Sequence, residues 1–127
     1  HVGDSKAFLI SDGRAVQITS DHNVPGELLQ NGHLTAEQAA VHPQRHILTR
    51  ALGVREELLV EELELRWKPG DMLLLCTDGL SNLVSLGEVE ALANELEPEV
   101  LADHLVDLAN SRGGHDNITV LAVRWEG

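Results

Sequence analysis

Residues 6–18 hold two mostly apolar arms, Ala7-Phe8-Leu9-Ile10 and Ala15-Val16-Gln17-Ile18, on either side of Asp12-Gly13. Asp-Gly tolerates the positive φ values of a type I′ turn, so the segment predicts a β-hairpin. The first arm has no polar face, which predicts a strand covered on both sides in a layered sheet. From 21 to 53 the pattern turns to short polar helical pieces. Leu28-Leu29 marks one, and Thr35-Ala36-Glu37-Gln38 has the form of a capping box for the next. This stretch reads as a surface excursion. Residues 62–67 alternate strictly, as a strand with one solvated face does, and Lys68-Pro69-Gly70-Asp71 is a turn ahead of the wholly apolar strand 72–76. Ser85-Leu86-Gly87-Glu88 is a second capping box, followed at helical spacing by Val89, Leu92, Ala93 and Leu96. Pro98 opens a further helix whose stripe is Leu101, His104, Leu105 and Leu108, with His104 expected against the core. Gly113-Gly114 ends it. Residues 117–125 form a last strand, with Ile118, Val120 and Ala122 on one face and Leu121, Val123 and Trp125 on the other.

Composition narrows the partners. The 127 residues carry 9 Lys+Arg against 21 Asp+Glu, a formal net charge of −12. Such an acidic chain repels a phosphate backbone and an anionic membrane surface alike, so neither nucleic acid nor membrane is expected as a partner. The one cysteine, Cys76, lies in an apolar run and reads as a buried small hydrophobe, without a disulfide or Cys-type zinc site. No apolar stretch approaches the ~20 residues of a membrane-spanning helix, and a reducing, cytoplasmic setting is expected. His22, His33, His42 and His46 follow no metal-ligand spacing and read as ordinary surface histidines. The absence of an initiating methionine before a strand-like start suggests a chain that begins partway through a larger fold.

Three aspartates stand at expected strand ends beside small residues: Asp4 in Gly3-Asp4-Ser5, Asp78 in Thr77-Asp78-Gly79, and Asp116 in His115-Asp116-Asn117. Converging carboxylates without a Cys or His set suit a hard, largely hydrated ion such as Mg²⁺ or Mn²⁺. Asp beside Gly is also the usual turn former, and spacing alone leaves both readings open.

The residues that carry these aspartates belong to a longer pattern. His1-Val2-Gly3-Asp4-Ser5-Lys6-Ala7, Asp21-His22-Asn23, Leu48-Thr49-Arg50-Ala51-Leu52-Gly53, Gly70 through Leu80, and Gly113 through Val120 resemble, in order, the successive motifs of the metal-dependent PP2C-type (PPM) Ser/Thr protein phosphatases. Residues 27–45 resemble the flap subdomain of the bacterial form. The resemblance implies an α+β fold, an αββα sandwich of two antiparallel sheets flanked by helices, of which residues 1–127 form the C-terminal part with a flap-like excursion at about 21–52. It implies two Mn²⁺ or Mg²⁺ ions held in part by Asp78 and Asp116, and a third, weaker ion at Asp4 with Asp78. It also implies phosphoprotein substrates and a place opposite a Ser/Thr kinase; Arg45 and Arg50, in the flap-like segment, are candidate contacts to such a substrate, the other reading of each being an ordinary surface or structural ion pair. The family's N-terminal portion has no counterpart here. It bears a glutamate, a phosphate-binding arginine and the Asp-Gly-x-Gly-Gly-His aspartate that bridges both ions. The chain alone is therefore expected to be inactive and to self-associate. The alternative is a noncatalytic regulatory module that keeps the fold.

Overall fold

The computed structural model describes residues 1–127. In chain order the elements are β1 (Lys6–Ser11), β2 (Arg14–Gln17), α1 (Val24–Gln30), α2 (Ala36–Ala40), β3 (Met72–Cys76), α3 (Asp78–Ser81), α4 (Leu86–Glu95), α5 (Pro98–Ser111) and β4 (Val120–Arg124). They fall into two units, one of His1–Ser5 with Thr19–Leu63, the other of Lys6–Ile18 with Glu64–Gly127.

The larger unit, Lys6–Ile18 with Glu64–Gly127, is a four-stranded antiparallel sheet of order β2-β1-β3-β4 with α3, α4 and α5. Asp12 and Gly13 have φ of 51° and 79°, the pair of positive values that a two-residue I′ turn needs between right-twisted strands. Period-two alternation sorts the side chains of β3. Met72, Leu74 and Cys76 are buried, whereas Leu75 is 39% exposed. Phe8 and Ile10 of β1 join the buried set, and Leu80, Val84, Val89, Ala93, Leu101, Leu105 and Ala109 complete one core cluster. Leu101 and Leu105 are fully buried, each contributing about 1.5–3 kcal/mol relative to an exposed side chain. Two hydrogen bonds tie α4 to the hairpin: Ala15 N–H donates to Glu90 Oε2 at 2.8 Å, and Asn94 Nδ2 donates to Gly13 O at 3.0 Å.

Helix boundaries follow local chemistry. Ser85 and Glu88 form the reciprocal capping box of α4, and Pro98 occupies the first turn of α5, where no intrahelical donor is required. At its other end Gly114 N–H bonds to Ala109 O and Gly113 N–H to Asn110 O, the paired closure of a Schellman motif, with φ of 124° at Gly113.

In the smaller unit, Asn23 caps α1 by accepting from Gly26 N–H at 2.8 Å, and Thr35 with Gln38 forms the capping box of α2. An antiparallel bridge joins Asn23 to Leu48. Gly26 is required there, because a Cβ would lie 2.1 Å from Asp21 O.

Three expectations change. Residues 62–67 join no ladder, because alternation describes a face but a strand also needs a neighbouring backbone, and β2 and β4 close the sheet at its two edges. The last strand begins at Val120 rather than at 117, although Ile118, Val120 and Ala122 do share the core-facing side. His104 is exposed, since the buried stripe of α5 runs through Leu101, Leu105 and Ala109 and places position 104 beside it.

Candidate metal centre

Antiparallel pairing decides which aspartates share an end of the sheet. Cys76, the last residue of β3, is opposite Val120, the first of β4. The chain leaving β3 and the chain entering β4 therefore lie at the same end of the sheet, and Asp78 and Asp116 are carried there together. Thr77 holds the two loops in register. Its N–H donates to Thr119 O at 3.1 Å, its hydroxyl accepts from Thr119 N–H at 3.1 Å, and the same hydroxyl donates to Asn117 O at 3.3 Å. Gly79 presses against the second loop, for a Cβ there would lie 2.1 Å from Asn117 O. Asp116 Oδ1 accepts from Asn117 N–H at 2.7 Å, which orients the carboxylate and leaves Oδ2 for another partner. No lysine or arginine pairs with either carboxylate. Hard oxygen donors of uncompensated charge, half-exposed at Asp78 and exposed at Asp116, fit a hydrated Mg²⁺ or Mn²⁺ rather than a softer ion.

The other expected site residues lie in the smaller unit. Asp4 is half-buried in the segment before β1, next to Gly3, whose φ of 104° belongs to the region that favours glycine. Arg45 is exposed and its Nη1 donates to His42 O at 3.1 Å, closing its own turn. Arg50 is half-exposed.

One constellation went unread in the sequence. His22, expected at the surface, is 3% exposed. Gly3 N–H donates to its Nδ1, and its Nε2 lies 3.0 Å from Glu61 Oε2. The ring of His1 is 4.8 Å from that of His22, and one potential ligand atom from each of His1, His22 and Glu61 falls within 4.8 Å of the others. Glu61 lies 39 residues from His22, in a stretch without recognisable chemistry. The Asp21-His22-Asn23 motif was the only signal available.

Residues 7–126 match the family model described as Stage II sporulation protein E (SpoIIE). The chain is 42% identical over 124 residues to the serine/threonine phosphatase stp of Listeria welshimeri, covering 97% of the chain and 49% of that protein. Among solved structures it is similar to the PPM Ser-Thr phosphatase MsPP of Mycobacterium smegmatis in complex with cacodylate, with a TM-score of 0.90 and 40% identity over 98% of the chain and 53% of that structure. It is also similar to the catalytic domain of the serine threonine protein phosphatase PstP in complex with two manganese ions, with a TM-score of 0.72 and 36% identity over 96% and 50%. The chain spans about half the length of the relatives it matches. A family model matched almost from end to end and a fold shared with PPM phosphatases lead to one conclusion: the chain belongs to the SpoIIE/PP2C-type phosphatase family.

Proposed function

We propose that the chain is the C-terminal part of a Mn²⁺- or Mg²⁺-dependent phosphatase that hydrolyses phosphoserine and phosphothreonine in proteins, opposite a Ser/Thr kinase in the cytoplasm. No helix is long and apolar enough to cross a membrane. The observation that carries the reading is the pairing of the Asp78 and Asp116 loops at one sheet end through Thr77 and Gly79. There the two carboxylates would hold the ions jointly with ligands from outside the chain. Bound divalent ions supply activation of the attacking water and neutralisation of charge on the phosphoryl oxygens. The chain's own task is geometric: the rigid β3 and β4 ends fix both carboxylates, so that no ordering remains to be done when ion and substrate arrive. Asp4 serves a further, weaker ion, because few protein ligands leave such an ion loosely held. Arg45 and Arg50 meet the phosphorylated segment of the substrate, as guanidinium forks do for phosphate oxygens.

The test is substitution in the full-length protein. Asp78→Asn and Asp116→Asn each remove a charge from a site that must hold cations, and each lowers phosphopeptide turnover at least ~100-fold, about 3 kcal/mol in the barrier. A Mn²⁺ titration of the same variants shows the ions lost. Near-normal turnover in both would overturn the assignment.

A further inference from the structure

We propose that Glu61 and His22 are positioning residues for the backbone that presents Asp4: Glu61 fixes the proton of the His22 ring, and the ring in turn grips Gly3. The proposal deepens the reading of Asp4 as a ligand of a weaker ion and rests on it for its link to activity.

The tautomer follows from the partners. Gly3 N–H donates to His22 Nδ1 at 3.0 Å. A backbone amide only donates, so Nδ1 carries no proton, and in the neutral ring the proton is on Nε2. Nε2 then donates to Glu61 Oε2 at 3.0 Å. His22 holds Gly3 a second time, because its own backbone N–H donates to Gly3 O at 2.8 Å. Both polar backbone groups of the residue before Asp4 are thus taken by one buried histidine. Glu61 is itself held on every side. Its Oε1 accepts from Ser20 N–H at 3.2 Å, its N–H donates to His1 O at 2.8 Å, and its carbonyl accepts from the His1 nitrogen at 3.0 Å. This carboxylate–imidazole–amide relay points at the one backbone unit that sets where Asp4 begins.

The same three side chains invite a cation reading, since one ligand atom of each lies within 4.8 Å of the others. The hydrogen bonds argue against it. A metal-bound neutral imidazole carries its proton on the other nitrogen, which would turn Nδ1–H against Gly3 N–H. On His1, Nε2 lies 3.0 Å from Ser20 O, an oxygen that only accepts, so that nitrogen carries its proton too.

The experiment compares wild type with Glu61→Ala, Glu61→Gln, His22→Asn and Asp4→Asn in the full-length protein. Ring ¹⁵N NMR, Gly3 amide exchange and the Mn²⁺ isotherm are the readouts. Wild type shows an unprotonated Nδ1. Glu61→Ala releases the ring to the other tautomer, speeds Gly3 exchange by roughly tenfold, the scale of one lost hydrogen bond, and weakens the loosest Mn²⁺ ion. Glu61→Gln keeps one acceptor for two donors, the His22 Nε2–H and the Ser20 N–H, and therefore restores Gly3 exchange only in part. His22→Asn, whose Oδ1 replaces Nδ1, keeps Gly3 slow and makes it indifferent to Glu61. Adding Glu61→Ala to Asp4→Asn weakens Mn²⁺ no further, the non-additivity of residues acting through one another.

A protonated Nδ1 in wild type overturns the relay, as does Gly3 exchange unchanged in Glu61→Ala. Additive effects on the isotherm overturn the link to Asp4. Micromolar Zn²⁺ binding that removes the Nε2 proton replaces the relay with a cation site. An isotherm unchanged in Asp4→Asn, with Gly3 still responding to Glu61, overturns the ligand reading of Asp4 and leaves the relay standing.

Discussion

Gly79 has no room for a side chain because the space belongs to a main-chain oxygen, Asn117 O, which cannot swing aside as a flexible side chain would. Gly79→Ala therefore forces the Asp78 and Asp116 loops apart, and in the full-length protein it lowers both Mn²⁺ affinity and turnover by at least tenfold, or about 1.4 kcal/mol. Thr77→Val keeps the shape and deletes the hydroxyl that bridges Asn117 and Thr119, at a cost of about 1 kcal/mol for the lost bonds. Thr77→Ser retains them, and thermal melts of the two variants separate shape from bonding. The carboxylates themselves were legible in the sequence, because Asp beside Gly at the end of an apolar run is a local pattern. What fixes them was not, since the partner of Thr77 lies 40 residues away and is chosen by strand register. His22 illustrates the same limit: its type and motif were visible, but its buried partner, Glu61, lies 39 residues away.

Helix α4 shows what local sequence does encode. Its capping box was readable from Ser85 and Glu88 alone, as that of α2 was from Thr35 and Gln38. The long-range addition is Arg112, which donates to Glu88 Oε1 at 2.8 Å and also to Leu83 O. Arg112 first, and the Ser85 backbone N–H next, hold the Glu88 carboxyl below its ordinary value of 4.5, down to about 2. A carboxyl depressed in the folded state binds its proton less readily there than in the unfolded chain. Its stabilisation is complete above about pH 4.5 and lost as pH falls toward 2. Urea midpoints across that window fall less steeply in Glu88→Gln than in wild type. Ser85→Ala costs about 1 kcal/mol at neutral pH through the lost cap. The unpaired stretch 62–67 marks the opposite case, where a strong periodic signal met no partner strand in the chain.

Over the whole chain, the family was legible because its motifs are short, ordered and rich in Gly and Asp, whose backbone roles follow from residue type rather than from the surrounding packing. One sheet of the expected sandwich lies within the 127 residues, and its second face leaves Leu75, Leu121, Val123 and Trp125 well exposed. Apolar surface of this kind is covered in a stable soluble protein. The 127-residue chain alone should self-associate in light scattering and leave p-nitrophenyl phosphate unhydrolysed with Mn²⁺, and a monomer that turns over substrate would refute this. The strand order has a consequence for how fast the sheet assembles. The β1–β2 hairpin joins neighbours and can close within about 1–10 μs, whereas β1 meets β3 only by bringing Ile10 to Met72, about half the chain away. Loop closure must be met before that pairing returns any energy, so refolding is limited by the central β1–β3 seam. Leu74→Ala, inside the seam, should slow refolding in stopped-flow measurements. Ala102→Gly, on α5, should chiefly speed unfolding. The innermost strand pair of the sheet is thus the last to form, and until it does β3, which carries Asp78 just beyond its last residue, is paired on one side only.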